Sequence, residues 1–278
     1  MTVAVLTGGT SGLGRFVARG LADSGCTVVV VARDAAKAEA LRTWLATEVP
    51  GAAVEIERAD LAMMAQARTA GMAIAARHPA IGLLVLNAGT FQSRRRITSE
   101  RHELVLAVNH LSPFVLIQTL LQPLRAGAAR VVVVGSSASD RAGIDPDNLE
   151  LAHGWNLVRA YAQSKLAVMT TSFEWARRLA PQVSVNVVHP GLVATDLVRA
   201  TGLIGWVWRA IGRFALTAEQ GAAAPLRAAL DPALAGITGR YLTPAGFASP
   251  NRRATDPALA ARVWQATERL AAVPPARQ

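Results

Sequence analysis

The sequence predicts an α/β fold: a doubly wound parallel sheet of about seven strands with helices on both faces. Two observations carry this. Short apolar runs alternate strictly with longer amphipathic ones along nearly the whole chain, and strict alternation implies right-handed crossovers and a sheet covered on both sides. The first apolar run, Thr2–Leu6, passes through Thr7-Gly8-Gly9-Thr10-Ser11-Gly12-Leu13-Gly14 into the helical segment that begins at Arg15. A strand, a glycine-rich turn and a helix form a phosphate site. Glycine lets the backbone turn tightly, and a helix N-terminus offers free N–H groups at the positive end of its dipole.

Strands are predicted at 2–7, 27–32, 52–57, 82–86, 129–135, 183–189 and 240–242. They are short and rich in Val, Ile and Leu, as strands buried on both faces are. Helices are predicted at 12–24, 35–47, 62–78, 100–125, 156–180, 218–230 and 256–271. The expected organisation is one domain over 1–273, with 274–278 as a loose tail. At 278 residues, 51% of them hydrophobic, the chain can bury a sizeable core.

Composition narrows the function. A single cysteine, Cys26, permits no internal disulfide and no cysteine-rich metal site. No metal is expected, and a reducing cytoplasm is. Strand one begins at residue 2, which leaves no room for a leader, and no apolar run reaches the roughly 18 residues of a spanning helix. The net charge of +10 does not point to nucleic acid. The arginines are scattered and aromatics make up only 5%, too few for base stacking.

Ligands of such a sheet lie across the carboxyl ends of its strands, where the polar residues of interest fall. Strand two ends in Ala32-Arg33. An acid near this place would bind both hydroxyls of an NAD ribose, whereas Arg33 suits a 2′-phosphate, so NADP(H) is favoured. Asp60 and Leu61 follow strand three, Asn87-Ala88-Gly89 ends strand four, Ser136 and Ser137 follow strand five, and Pro190-Gly191 follows strand six. Tyr161 and Lys165 stand four apart in a predicted helix, on one face. They are a phenol and one of only two lysines in a chain with 29 Lys plus Arg. A fixed ammonium favours a phenolate, so the pair is expected to bring the Tyr161 pKa toward neutrality and supply an acid or base.

Together these motifs resemble the short-chain dehydrogenase/reductase family, and the likeness covers nearly the whole chain. The pattern Thr-Gly-x-x-x-Gly-x-Gly is met by Thr7, Gly8, Gly12 and Gly14; Asn-Ala-Gly by Asn87–Gly89; Tyr-x-x-x-Lys by Tyr161 and Lys165; and Pro-Gly followed by Thr by Pro190, Gly191 and Thr195. Ala-Arg-Asp after strand two and Val-Asn-His-Leu at 108–111 are most similar to the retinol dehydrogenase and protochlorophyllide reductase branch.

The resemblance implies a Rossmann-type fold and a catalytic set of Asn109, Ser136, Tyr161 and Lys165. Ser136, preferred over Ser137, would steady the substrate oxygen, and Tyr161 would exchange its proton. Lys165 would lower the Tyr161 pKa and hold the nicotinamide ribose; Asn109 would hold a water. Cofactor contacts are implied for Gly8, Thr10, Ser11, Gly12, Leu13, Gly14, Arg33, Asp60, Leu61, Asn87, Ala88, Gly89, Tyr161, Lys165, Pro190, Gly191, Val193 and Thr195.

Substrate contacts are expected from Ser137, His153, Trp155 and Trp206. His110 and His189 are given structural places. The segment 197–216, with apolar Trp206, Trp208, Ile211 and Phe214 around Arg209 and Arg213, reads as an amphipathic helix: a substrate lid, a surface packed on the domain or a neighbouring subunit, or one that touches membrane. The family commonly pairs subunits through the helices at 100–125 and 156–180, so a homodimer or homotetramer is expected, with Phe173 and Trp175 on the outward face.

The expected activity is an NADP(H)-dependent interconversion of a carbonyl and an alcohol on a bulky hydrophobic small molecule. Reduction of a C=C or C=N bond, or NADP(H) sensing without turnover, are the alternatives.

Overall fold

The computed structural model describes residues 1–193 and 216–272. One sheet holds all its strands: β1 (Val3–Thr7), β2 (Thr27–Ala32), β3 (Val54–Arg58), β4 (Leu83–Leu86), β5 (Arg130–Val134), β6 (Ser184–Val188), β7 (Tyr241–Thr243) and β8 (Gly246–Ala248). Their order is β3-β2-β1-β4-β5-β6-β7-β8. Strands β1 to β7 run parallel, and β8 returns antiparallel to β7. From β1 the chain winds outward to β3, then crosses back to lay β4 on the other side of β1. That reversal opens a crevice above Thr7 and Leu86, which face each other in register.

Alternation along the strands feeds two cores. Val5, Val29, Leu84, Val131 and Val185 pack beneath helices α3 (Met64–Arg77), α5 (Ser112–Thr119), α7 (Leu157–Leu179), the short α9 (Arg252–Thr255) and α10 (Pro257–Ala271). Ala4, Leu6, Val28, Val30, Val85 and Val132 pack beneath α1 (Gly12–Asp23), α2 (Ala35–Glu48) and α8 (Ala218–Leu230). Cys26 is buried at the entrance to β2, as expected of a small hydrophobe.

Four expectations are corrected. The third strand begins at Val54 rather than 52, because a turn over 49–52, with Gly51 at φ +83°, holds the chain until it can pair with β2. An eighth strand, β8, is added by a hairpin through Pro244-Ala245, closed by Thr243 Oγ1 donating to the Gly246 carbonyl. The helix expected over 100–125 is broken. Residues 98–103 form a turn with Arg101 at φ +71°. Helical structure begins as α4 (Leu104–Leu106), widens into a π-helical turn (Ala107–Leu111), continues as α5 and restarts as α6 (Leu121–Ala126). Pro123, which has no N–H to donate to residue 119, accounts for the break at Leu120.

The fourth correction concerns the faces of α5 and α7 expected to point outward. Trp175 is buried. It lies 4.7 Å, centroid to centroid, from Trp264 of α10, and Phe114 of α5 completes the cluster at 5.4 and 4.9 Å. Arg178 stacks on Trp264 at 3.8 Å, and Phe173 packs against the same core. The chain's own last helix, capped by Asp256 and opened by Pro257, covers this ground. Truncation of a buried Trp leaves a cavity that rigid neighbours cannot fill, so Trp264→Ala is expected to cost about 3–5 kcal/mol in urea unfolding. A loss below about 1 kcal/mol would show that α10 is only loosely seated.

Candidate active site

The crevice is built by side-chain clamps between neighbouring strand ends. Thr7 Oγ1 accepts from the backbone N–H groups of Asn87 and Ala88, both at 3.0 Å. Asn87 Nδ2 donates to the Thr7 and Gly8 carbonyls at 3.1 and 3.0 Å. The loop thus lies flat against the end of β4, and only glycine fits. A Cβ on Gly8 (φ +67°) would stand 2.8 Å from Ala88 Cα, and one on Gly14 would stand 2.0 Å from the Gly8 oxygen.

Ser11 occupies the N-cap position of α1 without a side-chain cap, and the first turn carries no acid. By contrast Asp34 caps α2 and Asn156 caps α7. Free N–H groups above a glycine cradle fit an anionic diphosphate. Thr10 and Leu13 sit in this loop and first turn, Leu13 with its side chain in the core.

Arg33 is 74% exposed beside the crevice, its Nη1 3.5 Å from Asp60 Oδ2. Asp60 Oδ1 accepts from Ala62 N, so this carboxylate is shared between its own turn and Arg33. Leu61 is buried below it. One residue went unread in the sequence. Arg15 stacks on Trp44, 3.7 Å from the ring centroid, with its Nε buried and without a partner. An arginine immediately after a glycine loop carries no signal of its own until α2 is seen beside it.

At the other end of the crevice the four expected catalytic residues converge. Asn109 lies within the π-helical turn, 2% exposed. Its Oδ1 accepts from Thr90 N at 2.7 Å, and its Nδ2 donates to the Thr90 carbonyl and Ser164 Oγ, both at 3.0 Å. Ser164 in turn donates to the Tyr161 carbonyl at 2.8 Å. Lys165, 4% exposed, donates from Nζ to the Val134 carbonyl at 2.8 Å and sits 5.9 Å from the centre of the Tyr161 ring. A Cβ on Gly89 would lie 3.5 Å from Asn109 Oδ1 and 3.6 Å from Lys165 Nζ, so the Asn-Ala-Gly backbone passes directly over both.

Ser136 stands beside the Tyr161 phenol and favours its ionised form. Ser137 begins a short 3-10 turn and is exposed. Phe91, also unread in the sequence, meets the Tyr161 ring edge-on at 5.3 Å and is partly exposed.

Electrostatics reverses one expectation. Burial pushes the Tyr161 phenol above its ordinary 10, opposed by Ser136. Burial also pulls Lys165 down to about 8. In the protein alone burial and Ser136 set the phenol, and Lys165 has no part in its shift. At neutral pH Tyr161 is a protonated donor beside a charged Lys165.

Other expected positions separate from this centre. Burial drives His110 to about pKa 3, with Nε2 paired to Thr267 Oγ1 at 2.8 Å. His189 is held below the usual imidazole range by burial, opposed by Asp140. Both match their structural places. The His153 side chain is exposed, and Trp155 turns its indole N–H to Glu103 at 3.3 Å. Pro190 and Gly191 (φ +92°) follow β6, and Val193 bridges to Leu216. Thr195, Trp206 and all of the 197–216 segment except Leu216 lie outside the described residues, as does the 274–278 tail.

Among the described residues no group of three or more His, Cys, Asp and Glu could hold a metal ion, and no helix is long and apolar enough to cross a membrane. A concavity of about 570 Å³ lined by Gly236, Ile237, Thr238, Arg240 and Phe247 opens beside the amino ends of β6 and β7, opposite the catalytic end of the strands.

The family model described as short chain dehydrogenase matches residues 2–203. The chain belongs to the short-chain dehydrogenase family. It is an oxidoreductase related to the retinol dehydrogenase branch. Human retinol dehydrogenase 12 is 32% identical over 273 residues, covering 98% of this chain and 86% of that protein. Mouse polyprenol dehydrogenase is 36% identical over 253 residues, covering 86% and 75%. Among solved structures, the Pseudomonas aeruginosa RhlG/NADP active-site complex superposes with a TM-score of 0.69 at 29% identity, covering 87% of this chain and 94% of that one. A nicotinamide cofactor belongs to this family, and the glycine cradle fits one.

Burying a charged Lys165 costs stability. The unfolded chain keeps that proton to about pH 10.5 and the folded one only to about 8, so the penalty is full below pH 8 and fades as pH rises to 10.5. Lys165→Met is expected to gain on the order of 3 kcal/mol at pH 7, less what the lost bond to Val134 contributed. The gain should shrink steadily between pH 8 and 10.5 in urea unfolding; a difference that does not change with pH would refute the buried charge.

Proposed function

We propose that this protein is an NADP(H)-dependent oxidoreductase that interconverts a carbonyl and an alcohol on a bulky hydrophobic small molecule. One observation carries the reading: a protonated Tyr161, with Ser136 beside it, stands near a buried cation at the carboxyl end of the sheet, next to an uncapped glycine cradle. A bound nicotinamide would supply or accept the hydride.

The chain's own residues do the rest. Ser136 and Tyr161 both present hydroxyl groups to an oxygen on which negative charge builds, and that is where fixed donors stabilise most. Tyr161, held neutral by burial, gives that oxygen its proton. Lys165, through Val134, and Asn109, through Thr90 and Ser164, hold the helix that carries Tyr161 against the ends of β4 and β5. In this reading Gly8, Ser11, Gly12, Gly14 and Asn87–Gly89 line the cofactor path, and Pro190, Gly191 and Val193 close its far side.

Support for a hydrophobic substrate comes from relatives named for retinol and polyprenol, both long apolar alcohols. Partly exposed Phe91 beside the phenol supports it too. The one cysteine is unpaired and buried, which agrees with a cytoplasmic protein. Pairing of subunits across α5 and α7 is not part of the proposal, because α10 lies on that face.

Tyr161→Phe keeps the ring and removes the proton donor. Turnover is expected to fall on the order of a thousandfold or more while NADPH binding persists. A variant with half the original rate would sink the assignment. A screen of ketones, enones and imines with NADPH separates carbonyl reduction from attack on C=C or C=N, and a folded protein that binds NADPH yet turns over none of them would be a sensor.

Cofactor choice rests on Arg33. A charge-assisted contact to a 2′-phosphate contributes about 1.5–3 kcal/mol. The exposed pair with Asp60 it would displace is worth at most about 1. NADPH should bind roughly 2- to 150-fold tighter than NADH, and the double change Ala32→Asp, Arg33→Ala should reverse the order. Equal affinities in titrations of the unmodified protein at one ionic strength would contradict this.

A further inference from the structure

Glu103 is 2% exposed and has no part in the chemistry above. Its two carboxylate oxygens are divided between two elements. Oε2 accepts from Leu106 N at 2.8 Å, capping the helical stretch whose next turn holds Asn109. Oε1 accepts from Trp155 Nε1 at 3.3 Å. Trp155 immediately precedes Asn156, the N-cap of the helix that carries Tyr161 and Lys165. The Glu103 backbone N–H donates to Glu150 Oε1, which also meets His102 Nδ1 at 3.0 Å. Arg95 donates to the Glu150 carbonyl. The loop ahead of Tyr161 is thus fastened to the turn ahead of Asn109 at several points, with the Glu103 carboxylate at the centre.

The geometry explains why a second fastening matters. Among the described residues, the hydrogen-bonded link between Asn109 and Tyr161 runs through Ser164. One hydrogen-bonded link between two helices is a pivot; a second link, at the start of both helices, fixes their relative orientation. A buried carboxylate is costly to keep, and burial does push Glu103 above the usual carboxylate range, opposed by these same hydrogen bonds. A neutral acceptor would cap α4 at less expense. The carboxylate offers two acceptor oxygens and no donor, and this junction presents N–H groups from both sides.

We propose that Glu103 is a positioning residue, which sets the orientation of the Asn109 and Tyr161 helices by joining the cap of one to Trp155 at the head of the other. The inference rests on the proposed function, through the roles given to Asn109 and Tyr161.

Two variants test it. Glu103→Gln puts an NH₂ where an acceptor is needed; Trp155→Phe removes the indole donor and leaves the cap intact. Each is expected to lower kcat about tenfold, since small misplacements of catalytic groups are costly. KM and the NADPH Kd should stay within about twofold, because neither residue touches the glycine cradle. The double variant should be no slower than the slower single one, as expected of residues acting through one contact. Should Glu103→Gln fail to fold by circular dichroism, Trp155→Phe carries the kcat-against-KM test alone. Folded variants with unchanged kcat, or losses that multiply in the double variant, would overturn the proposal. Its failure is distinct from failure of the function: an active Tyr161→Phe removes the catalytic reading itself, whereas an inactive Tyr161→Phe beside fully active Glu103→Gln and Trp155→Phe removes only the positioning role.

Discussion

The clamp between Thr7 and Asn87 fixes the crevice on which every other feature depends. Parallel strands that reverse their winding must leave a gap between the two loops at the reversal. Here the gap is spanned by four hydrogen bonds from two side chains, with Thr7 Oγ1 taking two backbone N–H groups and Asn87 Nδ2 reaching two carbonyls. That leaves the glycine loop no freedom to rise, keeps the α1 N-terminus aimed into the gap, and carries β4 onward to Gly89 and Thr90, against which Asn109 is seated.

From Thr90 onward the site is a continuous chain of polar contacts inside an apolar body. Asn109, Ser164 and the Tyr161 carbonyl form one line, and Lys165 and Val134 form another. The π-helical turn at Ala107–Leu111 is the local cost of the first line. An Asn in a regular helix would gain nothing from its side chain, while the widened turn sets its amide where both atoms are satisfied. Desolvation then decides protonation. It opposes charge on phenol and ammonium alike, so the interior keeps Tyr161 neutral and, while Lys165 stays charged at neutral pH, draws its pKa down to about 8.

The opposite layer shows how much the last helix matters. α10 places Trp264 between Phe114 and Trp175 and brings Thr267 to the buried His110. His110 adjoins Asn109 in the π-helical turn, so the C-terminal helix braces the catalytic layer from behind, and it covers a face that would otherwise be apolar and exposed.

Local chemistry determined much of this in the sequence alone. Apolar alternation specified the sheet and its two cores, because a strand buried on both faces admits few residue types. Gly8, Gly12 and Gly14 specified the cradle, because Gly8 and Gly12 take positive φ and a Cβ on Gly8 or Gly14 would strike neighbouring backbone, and the spacing of Tyr161 and Lys165 put both on one helical face. Only the tertiary structure decided what depends on distant neighbours. Arg15 meets Trp44, Phe91 meets Tyr161, and Trp175 turns inward because α10 arrives from some ninety residues away. It also decided the balance of charge, since a pKa is set by how far water is excluded, and sequence spacing says how close two groups stand but not how dry their surroundings are.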